Sequence, residues 1–389
     1  MRICTSYTSK GLMNNMEINT FFLRISARCN LDCDYCYVFK HRDSAWKNYP
    51  PIMTDESIMM FCGRLKEYLA EHESIKDVNI VFHGGEPLVF GTKHLINTID
   101  TINSEIGDHA CMHYSLQTNG TLLNDDFVNE CCKRGVGISL SIDGMKSIHD
   151  KHRKYKEGAG SHDDVVRGLK LLQKNTSVFE GIIGVIDPYF DPDEILSFFE
   201  ELGIENIDLL LPDSTYLDKP FGRDKDENLY KNWLIKAFDS WFYSHQSLHF
   251  RTFEFLLGGL LGDNAELDAF GLGALDYLTI ETDGSYHTSD ILKVAFENAS
   301  YLGMDLSKNT IEEALNSDKV KEYNHLLSIE SLPLKCKKCK YSNLCGGGSL
   351  PHRYSPENLF DNPTVYCDEM FALIEHAENV LEKAVNDEE

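Results

Sequence analysis

The chain has 389 residues, enough for a large hydrophobic core and for two domains. Its formal net charge of -25 argues against a nucleic-acid binder, because such a protein needs a basic face to neutralise phosphates. Twelve cysteines, no signal peptide and no apolar run long enough to span a bilayer predict a reduced cytoplasmic protein that binds no membrane and uses thiolates as ligands.

Short apolar runs alternate with longer amphipathic ones from Thr20 onward, which predicts a parallel sheet covered by helices. Six βα units are predicted, with strands over 21–26, 78–83, 112–118, 137–142, 179–185 and 207–211. After the first strand, Thr54 should cap a helix whose inward face carries Ile58, Phe61, Leu65 and Leu69. The last helix is predicted over 368–386.

Three cysteines follow the first predicted strand directly: Cys29, Cys33 and Cys36, with Tyr35 beside the last. Thiolates at this spacing can hold three irons of a 4Fe-4S cluster and leave the fourth iron without a protein ligand. That iron can chelate S-adenosylmethionine, and an electron passed to the sulfonium then releases a 5'-deoxyadenosyl radical. The alternative is a structural zinc knuckle that lacks one ligand, although zinc sites usually show two close pairs.

The segment from Cys29 to Cys36, called the cluster loop below, resembles the CxxxCxΦC signature of the radical SAM superfamily. The resemblance implies an α/β fold with a partial (β/α)6 barrel of the TIM type, open on the side where a large substrate could enter. It also implies that Tyr35 lies against the adenine of S-adenosylmethionine. Cofactor ligands are expected at the carboxyl ends of the strands.

A glycine pair ends the second predicted strand, in the run Gly84, Gly85, Glu86 and Pro87. Glycines there let the backbone approach a ligand closely, and a carboxylate can accept hydrogen bonds from an ammonium group. By itself such a pair indicates a turn. After a CxxxCxΦC loop it resembles the GGEP motif that binds the methionyl amino group.

Polar residues also end the third and fourth predicted strands: Gln117 and Asn119, then Ser141 and Asp143, with Arg153 further on. By resemblance to the sulfatase-maturase branch of the superfamily, Gln117, Ser141 and Arg153 match positions that contact S-adenosylmethionine. Arg153 suits the methionyl carboxylate, and Asn119 and Asp143 are assigned to the same site. The alternative for each polar group is a turn or a helix cap.

The C-terminal third carries a second set of thiols, at Cys336, Cys339, Cys345 and Cys367. Four thiolates make a closed cluster or a zinc ribbon, and ligand count does not separate the two. The spacing resembles the second half of a SPASM domain, which implies an auxiliary 4Fe-4S cluster. A complete SPASM domain holds a second auxiliary cluster, but Ser289 and Ser349 stand at two of its ligand positions. We therefore expect a truncated SPASM-like domain with one auxiliary cluster.

The hairpin predicted around Asp283-Gly284 leads to Asp290. This residue lies next to a lost ligand position, where the sulfatase maturases hold their catalytic base. By that resemblance Asp290 is the candidate base, which would take a proton as a substrate radical is oxidised or cyclises. The alternative is a solvated hairpin carboxylate.

Two further runs resemble maturases that form three-residue cyclophanes: 43–50, with Asp43, Trp46 and Pro50, and 346–354 together with 362–367. The resemblance covers residues 20 to 375. It implies maturation of a ribosomally made precursor peptide (RiPP maturation), in which an aromatic ring carbon is joined to the β-carbon of a nearby residue. A flavodoxin-type or ferredoxin-type protein would donate the electrons.

Three alternatives remain open at this stage: a sulfatase-type maturase that makes formylglycine, a thioether-forming peptide maturase, and a non-enzymatic iron-sulfur electron-transfer or peptide-binding protein. The predicted organisation is a lead-in over 1–19, expected to be disordered, and a radical SAM barrel over 20–248. A bridge over 249–275 and an auxiliary-cluster domain over 276–389 follow.

Overall fold

The computed structural model describes residues 17–263, 267 and 269–387, so most of the predicted lead-in lies outside it. One sheet of ten strands runs through the molecule in the order β10-β9-β8-β1-β2-β3-β4-β5-β6-β7. The strands are β1 Thr20–Ser26, β2 Asp77–Gly84, β3 Cys111–Thr118, β4 Gly137–Ser141, β5 Phe179–Val185, β6 Asn206–Leu210, β7 His249–Phe250, β8 Tyr277–Ile280, β9 Ser285–His287 and β10 Tyr301–Asp305.

Eight neighbouring strands, from β8 through β1 to β7, are parallel, and β9 and β10 are added antiparallel. The α-helices are α1 Asp55–Glu71, α2 Thr92–Ile106, α3 Asp125–Arg134, α4 Lys146–His152, α5 His162–Gln173, α6 Pro192–Glu201, α7 Leu229–Ser244, α8 Arg251–Leu260, α9 Ile311–Leu315, α10 Asp318–Leu326, α11 Leu334–Lys337, α12 Ser342–Cys345 and α13 Cys367–Asp387. No helix in the described part of the chain has the length and apolarity needed to cross a membrane.

The α/β fold and the six predicted βα units are confirmed. The structure corrects the strand count, because β7 and β8 also join the sheet in parallel. With two residues, β7 is too short to show a period, and β8 was predicted only as one arm of the hairpin. The sheet thus continues past residue 276, and the predicted domain division stays a prediction.

Helix α1 shows how local sequence sets these elements. The Thr54 side chain accepts a hydrogen bond from Ser57 N, which satisfies one of the free amides of the first turn. The four predicted inward residues of this helix are buried: Ile58, Phe61, Leu65 and Leu69. They pack on β1, where the Phe21 and Phe61 rings meet edge to face at 5.7 Å.

The two faces of β1 differ in chemistry, because successive side chains of a strand point to opposite sides. Phe21, Leu23 and Ile25 are fully buried beneath the helices. On the barrel side, Phe22 packs on Tyr277 of β8 at 4.3 Å, and Arg24 is also buried. A guanidinium inside the barrel requires charged partners, and these help to define the site.

Candidate active site

The start of the cluster loop is fixed by the end of β2. Gly85 N donates to Ser26 O at 2.7 Å, and Glu86 N donates to Arg28 O at 2.9 Å. A Cβ atom on Gly85 would lie 2.5 Å from Arg28 O, and one on Gly84 would lie 2.4 Å from Ser26 O. The two glycines are therefore required because the backbone at the end of β1 and just after it lies directly against them. From the sequence, this close approach was expected of a ligand.

The three thiols of the cluster loop share one environment. Burial raises the pKa of Cys29 and of Cys33 to about 12, and neighbouring thiols add to the shift of each. Burial also raises the pKa of Cys36. Binding to a cationic iron centre would offset this cost, since metal ligation requires the thiolate.

The donor set of the cluster loop consists of three thiols. Thiolates are soft ligands that suit an iron-sulfur cluster with one iron left open. A structural zinc ion would require a fourth protein ligand.

Glu86 joins the ends of β2 and β3. Its carboxylate is 1% exposed and accepts hydrogen bonds from Thr118 Oγ1 at 2.7 Å, Asn119 N at 2.8 Å and Leu88 N at 3.0 Å. Burial raises the pKa of Glu86, and these donors oppose the rise. Pro87, at the first position of a short 3-10 helix, fixes the chain after it.

Tyr35, Asp143 and Arg153 form one group beside the thiols. Tyr35 OH donates to Asp143 Oδ2 at 2.5 Å, and Arg153 Nε donates to Asp143 Oδ1 at 3.0 Å. The Arg153 guanidinium lies 5.5 Å from the centre of the Tyr35 ring. Because this hydrogen bond uses only Nε, the two terminal nitrogens of Arg153 suit the carboxylate predicted to bind there.

The remaining predicted cofactor residues reach the same rim. Gln117 Nε2 donates to Ser141 Oγ at 2.9 Å, which joins the ends of β3 and β4. Asn119 Nδ2 donates to Asn30 Oδ1 at 2.9 Å and lies 3.8 Å from Cys29 Sγ. The structure thus brings the predicted cofactor residues together around the cluster loop, and their individual roles stay predictions.

Asp290 lies in a buried charge network that the sequence did not predict. The network, called the Arg24 network below, comprises Arg24, Tyr37, His83, Glu281, Asp290 and Lys293. Arg24 forms ion pairs with Asp290 and with Glu281, the latter at 3.1 Å, and Lys293 Nζ binds Glu281 Oε1 at 2.6 Å. Two cations thus face two carboxylates at 6% exposure or less. The solvated alternative for Asp290 is wrong.

A sequence signal for this network existed at Arg24, a charged residue in the middle of an apolar strand. Its partners come from segments far apart in the chain, so no spacing rule could have paired them. Glu281 follows β8 directly, and Lys293 lies in the short 3-10 helix that begins at Asp290.

The network holds Asp290 ionised and His83 neutral. Burial alone would raise the pKa of Asp290, but the charges of Arg24 and Lys293 and the hydrogen bond from Tyr37 outweigh it and lower the pKa below its usual value. Burial lowers the pKa of His83 to about 4. Arg24 Nη1 lies 3.4 Å from His83 Nδ1, and arginine can only donate, so Nδ1 is the acceptor and the ring proton resides on Nε2.

The second thiol set is assembled from three short segments. Cys336 lies in α11, Cys345 ends α12 and Cys367 begins α13, with Cys339 between the first two. Burial raises the pKa of Cys345 to about 12, and the charges of the other three thiols add to the rise. Gly346, Gly347 and Gly348 turn the chain here with φ of 56°, 79° and 76°. Four converging thiols fit a closed cluster.

Ser289 and Ser349, which stand at the lost ligand positions, line one cavity. Its walls also include Leu292, Leu350 and residues of the segment 270–274. Ser289 Oγ lies 2.6 Å from Tyr277 OH. Hydroxyls are poor iron ligands, and a single auxiliary cluster stays a prediction.

The run from Asp43 to Pro50 joins the cluster loop to the hairpin region. The buried Asp43 carboxylate accepts from Ala45 N at 2.8 Å and from Asn298 N at 3.3 Å. Trp46 packs edge to face on Phe39 at 4.8 Å, and Thr282 Oγ1 donates to the carbonyl of Pro50 at 2.8 Å. The observed contacts of this run are structural.

Known proteins are similar to this chain in sequence and in fold. Residues 23–202 match the model of the Radical SAM superfamily. A cysteine-type anaerobic sulfatase-maturating enzyme of Clostridium novyi is 27% identical over 372 residues, which cover 90% of this chain and 92% of that protein. A serine-type anaerobic sulfatase-maturating enzyme of Bacteroides thetaiotaomicron is 24% identical over 349 residues, with 85% and 82% covered.

Solved structures agree. Native anSMEcpe with bound AdoMet has a TM-score of 0.81 at 24% identity and covers 95% of this chain and 100% of its own. Native anSMEcpe with bound AdoMet and the Kp18Cys peptide has a TM-score of 0.81 at 25% identity and covers 95% and 99%. Over residues 23–202 the fold and the site are those of a radical SAM enzyme. The chain is related to the anaerobic sulfatase-maturating enzymes and uses S-adenosylmethionine and 4Fe-4S clusters.

Proposed function

We propose that this enzyme modifies a ribosomally made precursor peptide by joining an aromatic ring carbon to the β-carbon of a nearby residue. The observation that carries the proposal is the contact between Tyr37 and Asp290, at 2.8 Å. Tyr37 follows the last cysteine of the cluster loop, so the candidate base is tied directly to the segment that would bind the cluster. Hydrogen abstraction and proton removal can then act on one substrate.

When bound, the cluster and S-adenosylmethionine supply a 5'-deoxyadenosyl radical that takes one hydrogen atom from the peptide. We assign the chain's own residues as follows. Cys29, Cys33 and Cys36 hold the cluster, and Glu86 and Arg153 receive the methionyl amino and carboxylate groups. Tyr35, Gln117, Asn119, Ser141 and Asp143 complete that pocket.

Asp290 would receive the proton that leaves the ring as its aromaticity is restored. Arg24 and Tyr37 orient its carboxylate, and the buried pairing keeps it ionised before the reaction. Forming the crosslink removes two hydrogens from the peptide: one as an atom, the other as a proton with an electron. Cys336, Cys339, Cys345 and Cys367 are assigned to one auxiliary cluster, which suits the role of electron acceptor.

A peptide substrate is supported by the relatives. One solved structure of anSMEcpe contains both AdoMet and the Kp18Cys peptide. Ser289 and Ser349 stand where a complete SPASM domain has cluster ligands, and this sequence feature supports the crosslinking branch in our proposal.

Formylglycine formation is the second candidate, because two named relatives are sulfatase-maturating enzymes that align over most of this chain. It requires the same hydrogen abstraction and the same base. In this reading the substrate residue would be a serine or a cysteine, and no second residue of the peptide would be joined to it.

The two candidates are separated by mass spectrometry of the small peptide encoded beside this enzyme, co-expressed with it. A crosslink removes two hydrogens and suppresses backbone fragmentation between the joined residues. Formylglycine made from serine removes the same mass, but its aldehyde reacts with a hydrazide probe. A peptide of reduced mass that fragments normally and labels with hydrazide, or a peptide of unchanged mass, would contradict the crosslink.

A further inference from the structure

The segment 146–174 is positively charged in a protein that is negatively charged as a whole. It contains eight lysines and arginines against four aspartates and glutamates, a net charge of +4, whereas the whole chain carries -25. Five of its exposed or half-buried basic residues form what we call the basic surface: Lys154, Lys156, Arg167, Lys170 and Lys174. A local reversal of this size creates a field of its own on an acidic molecule.

This segment lies against the outer side of the cluster loop. Asp32 N donates to Lys154 O at 2.7 Å, and Asp34 N donates to His152 O at 3.4 Å. A β-bridge joins Leu31 to Tyr155, and another joins Lys154 to Gly160. The hairpin that carries Lys154 and Lys156 is therefore fixed directly to the segment that holds the three thiols.

Most of the charge of the basic surface is not paired within the protein. Of its five residues Arg167 forms an ion pair, with Asp164 at 3.6 Å. Within the described residues, Lys154, Lys156, Lys170 and Lys174 join no ion pair. The other carboxylates of the segment have partners outside the basic surface, Asp150 with His162 N and Asp163 with Lys146, whereas Glu157 is exposed.

The acidic residues of the cluster loop itself are also compensated. Asp32 pairs with Lys40 at 2.7 Å, and Asp34 pairs with His152 at 2.9 Å. The hairpin beside the loop thus presents Lys154 and Lys156 to an approaching molecule, and neither lysine joins an ion pair in the described part of the chain. Such long basic side chains suit the weak, polar encounters of redox partners.

We propose that the basic surface docks an acidic one-electron donor protein, of the flavodoxin or ferredoxin type, for reduction of the cluster held by Cys29, Cys33 and Cys36. The reduced donor gives up one electron, and the cluster takes it. The inference rests on radical SAM chemistry and not on the identity of the peptide product. Charge complementarity would raise the encounter rate and make binding sensitive to salt.

The test uses the reconstituted holoenzyme and oxidised flavodoxin as the binding probe. In the variant K156E/K170E, we expect binding measured by biolayer interferometry at low salt to weaken roughly tenfold, with a shallower salt dependence. The matched control K76E/K383E makes the same charge change at exposed lysines outside the segment and should bind like the wild type. K156R/K170R should also bind normally.

Formation of 5'-deoxyadenosine is scored with two electron sources. With flavodoxin, its reductase and NADPH, K156E/K170E should be slow, whereas with dithionite it should match the wild type. Equal flavodoxin binding by both double variants would overturn the proposal. So would an equal loss of rate with dithionite, which would indicate damage to the cofactor site or a peptide-binding surface. No 5'-deoxyadenosine from the wild type with either source would instead contradict the enzyme assignment.

Discussion

Tyr37 and Asp290 are 253 positions apart and meet through a hydrogen bond of 2.8 Å between the phenol and Oδ2 of the carboxylate. Arg24 binds the same oxygen from β1. The contact joins the residue that follows the cluster loop to the first residue of the 3-10 helix after β9. A carboxylate held by a phenol and a guanidinium has one orientation, which is what a base requires.

Asp290→Asn should separate hydrogen abstraction from product formation. The amide keeps the shape of the carboxylate but cannot take a proton at neutral pH. We expect 5'-deoxyadenosine from the reduced enzyme with peptide to continue, while modified peptide falls by roughly 10²-fold or more. Liquid chromatography with mass spectrometry measures both. Retention of wild-type peptide modification would remove Asp290 from the reaction.

Glu281→Gln should destabilise the fold strongly. It leaves Arg24 and Lys293 buried with one fewer negative charge between them, and breaking such a pair costs about 3–5 kcal/mol. Urea unfolding of the anaerobic holoenzyme measures this loss. The exposed pair Arg42–Asp218 provides the control, since Asp218→Asn should cost about 1 kcal/mol or less. Similar losses in both variants would show that the ion pairs of the Arg24 network do not contribute the expected free energy of unfolding.

Gly85→Ala should disturb the cluster loop. Its Cβ would meet Arg28 O at 2.5 Å and Phe39 Cζ at 2.6 Å, and relieving such contacts costs about 1–3 kcal/mol. We expect less iron per chain and a lower unfolding midpoint. Gly63, in the middle of α1 with nothing within 4 Å of its Cβ position, is the matched control, and Gly63→Ala should stabilise by about 0.5–1 kcal/mol. Normal iron binding by Gly85→Ala would contradict the packing argument.

His152 should make stability depend on pH. Burial would lower its pKa, but Asp187 and Asp34 raise it from 6.5 to about 9. A raised folded-state pKa means that this stabilisation is complete below about pH 6.5 and is lost as pH rises through 9. The loss is up to about 3 kcal/mol. Thermal unfolding of the holoenzyme from pH 6 to 10 should fall more steeply than that of His152→Gln, and parallel curves would contradict the shift.

The sequence predicted what depends on local pattern. The cysteine spacings, the glycine pair after β2 and the Thr54 cap each involve neighbours in the chain, so period and spacing reveal them. The six strands carry apolar runs long enough to recognise, whereas β7 has two residues and gives no pattern.

What the sequence could not provide are the contacts between distant segments. Glu281 and Lys293 become part of the Arg24 network only because β8 pairs in parallel with β1. The engagement of Asp143 by both Tyr35 and Arg153 likewise depends on how the cluster loop folds back onto β4. Such contacts between distant residues produce no recognisable spacing pattern in a single sequence.

Reductive cleavage of S-adenosylmethionine tests the central claim most directly. The anaerobically reconstituted wild type, given dithionite and S-adenosylmethionine, should form 5'-deoxyadenosine, and C29A/C33A/C36A should form none while keeping its auxiliary iron, about four atoms per chain. A wild-type protein that binds zinc at the cluster loop, or a triple variant that still forms 5'-deoxyadenosine, would contradict the account.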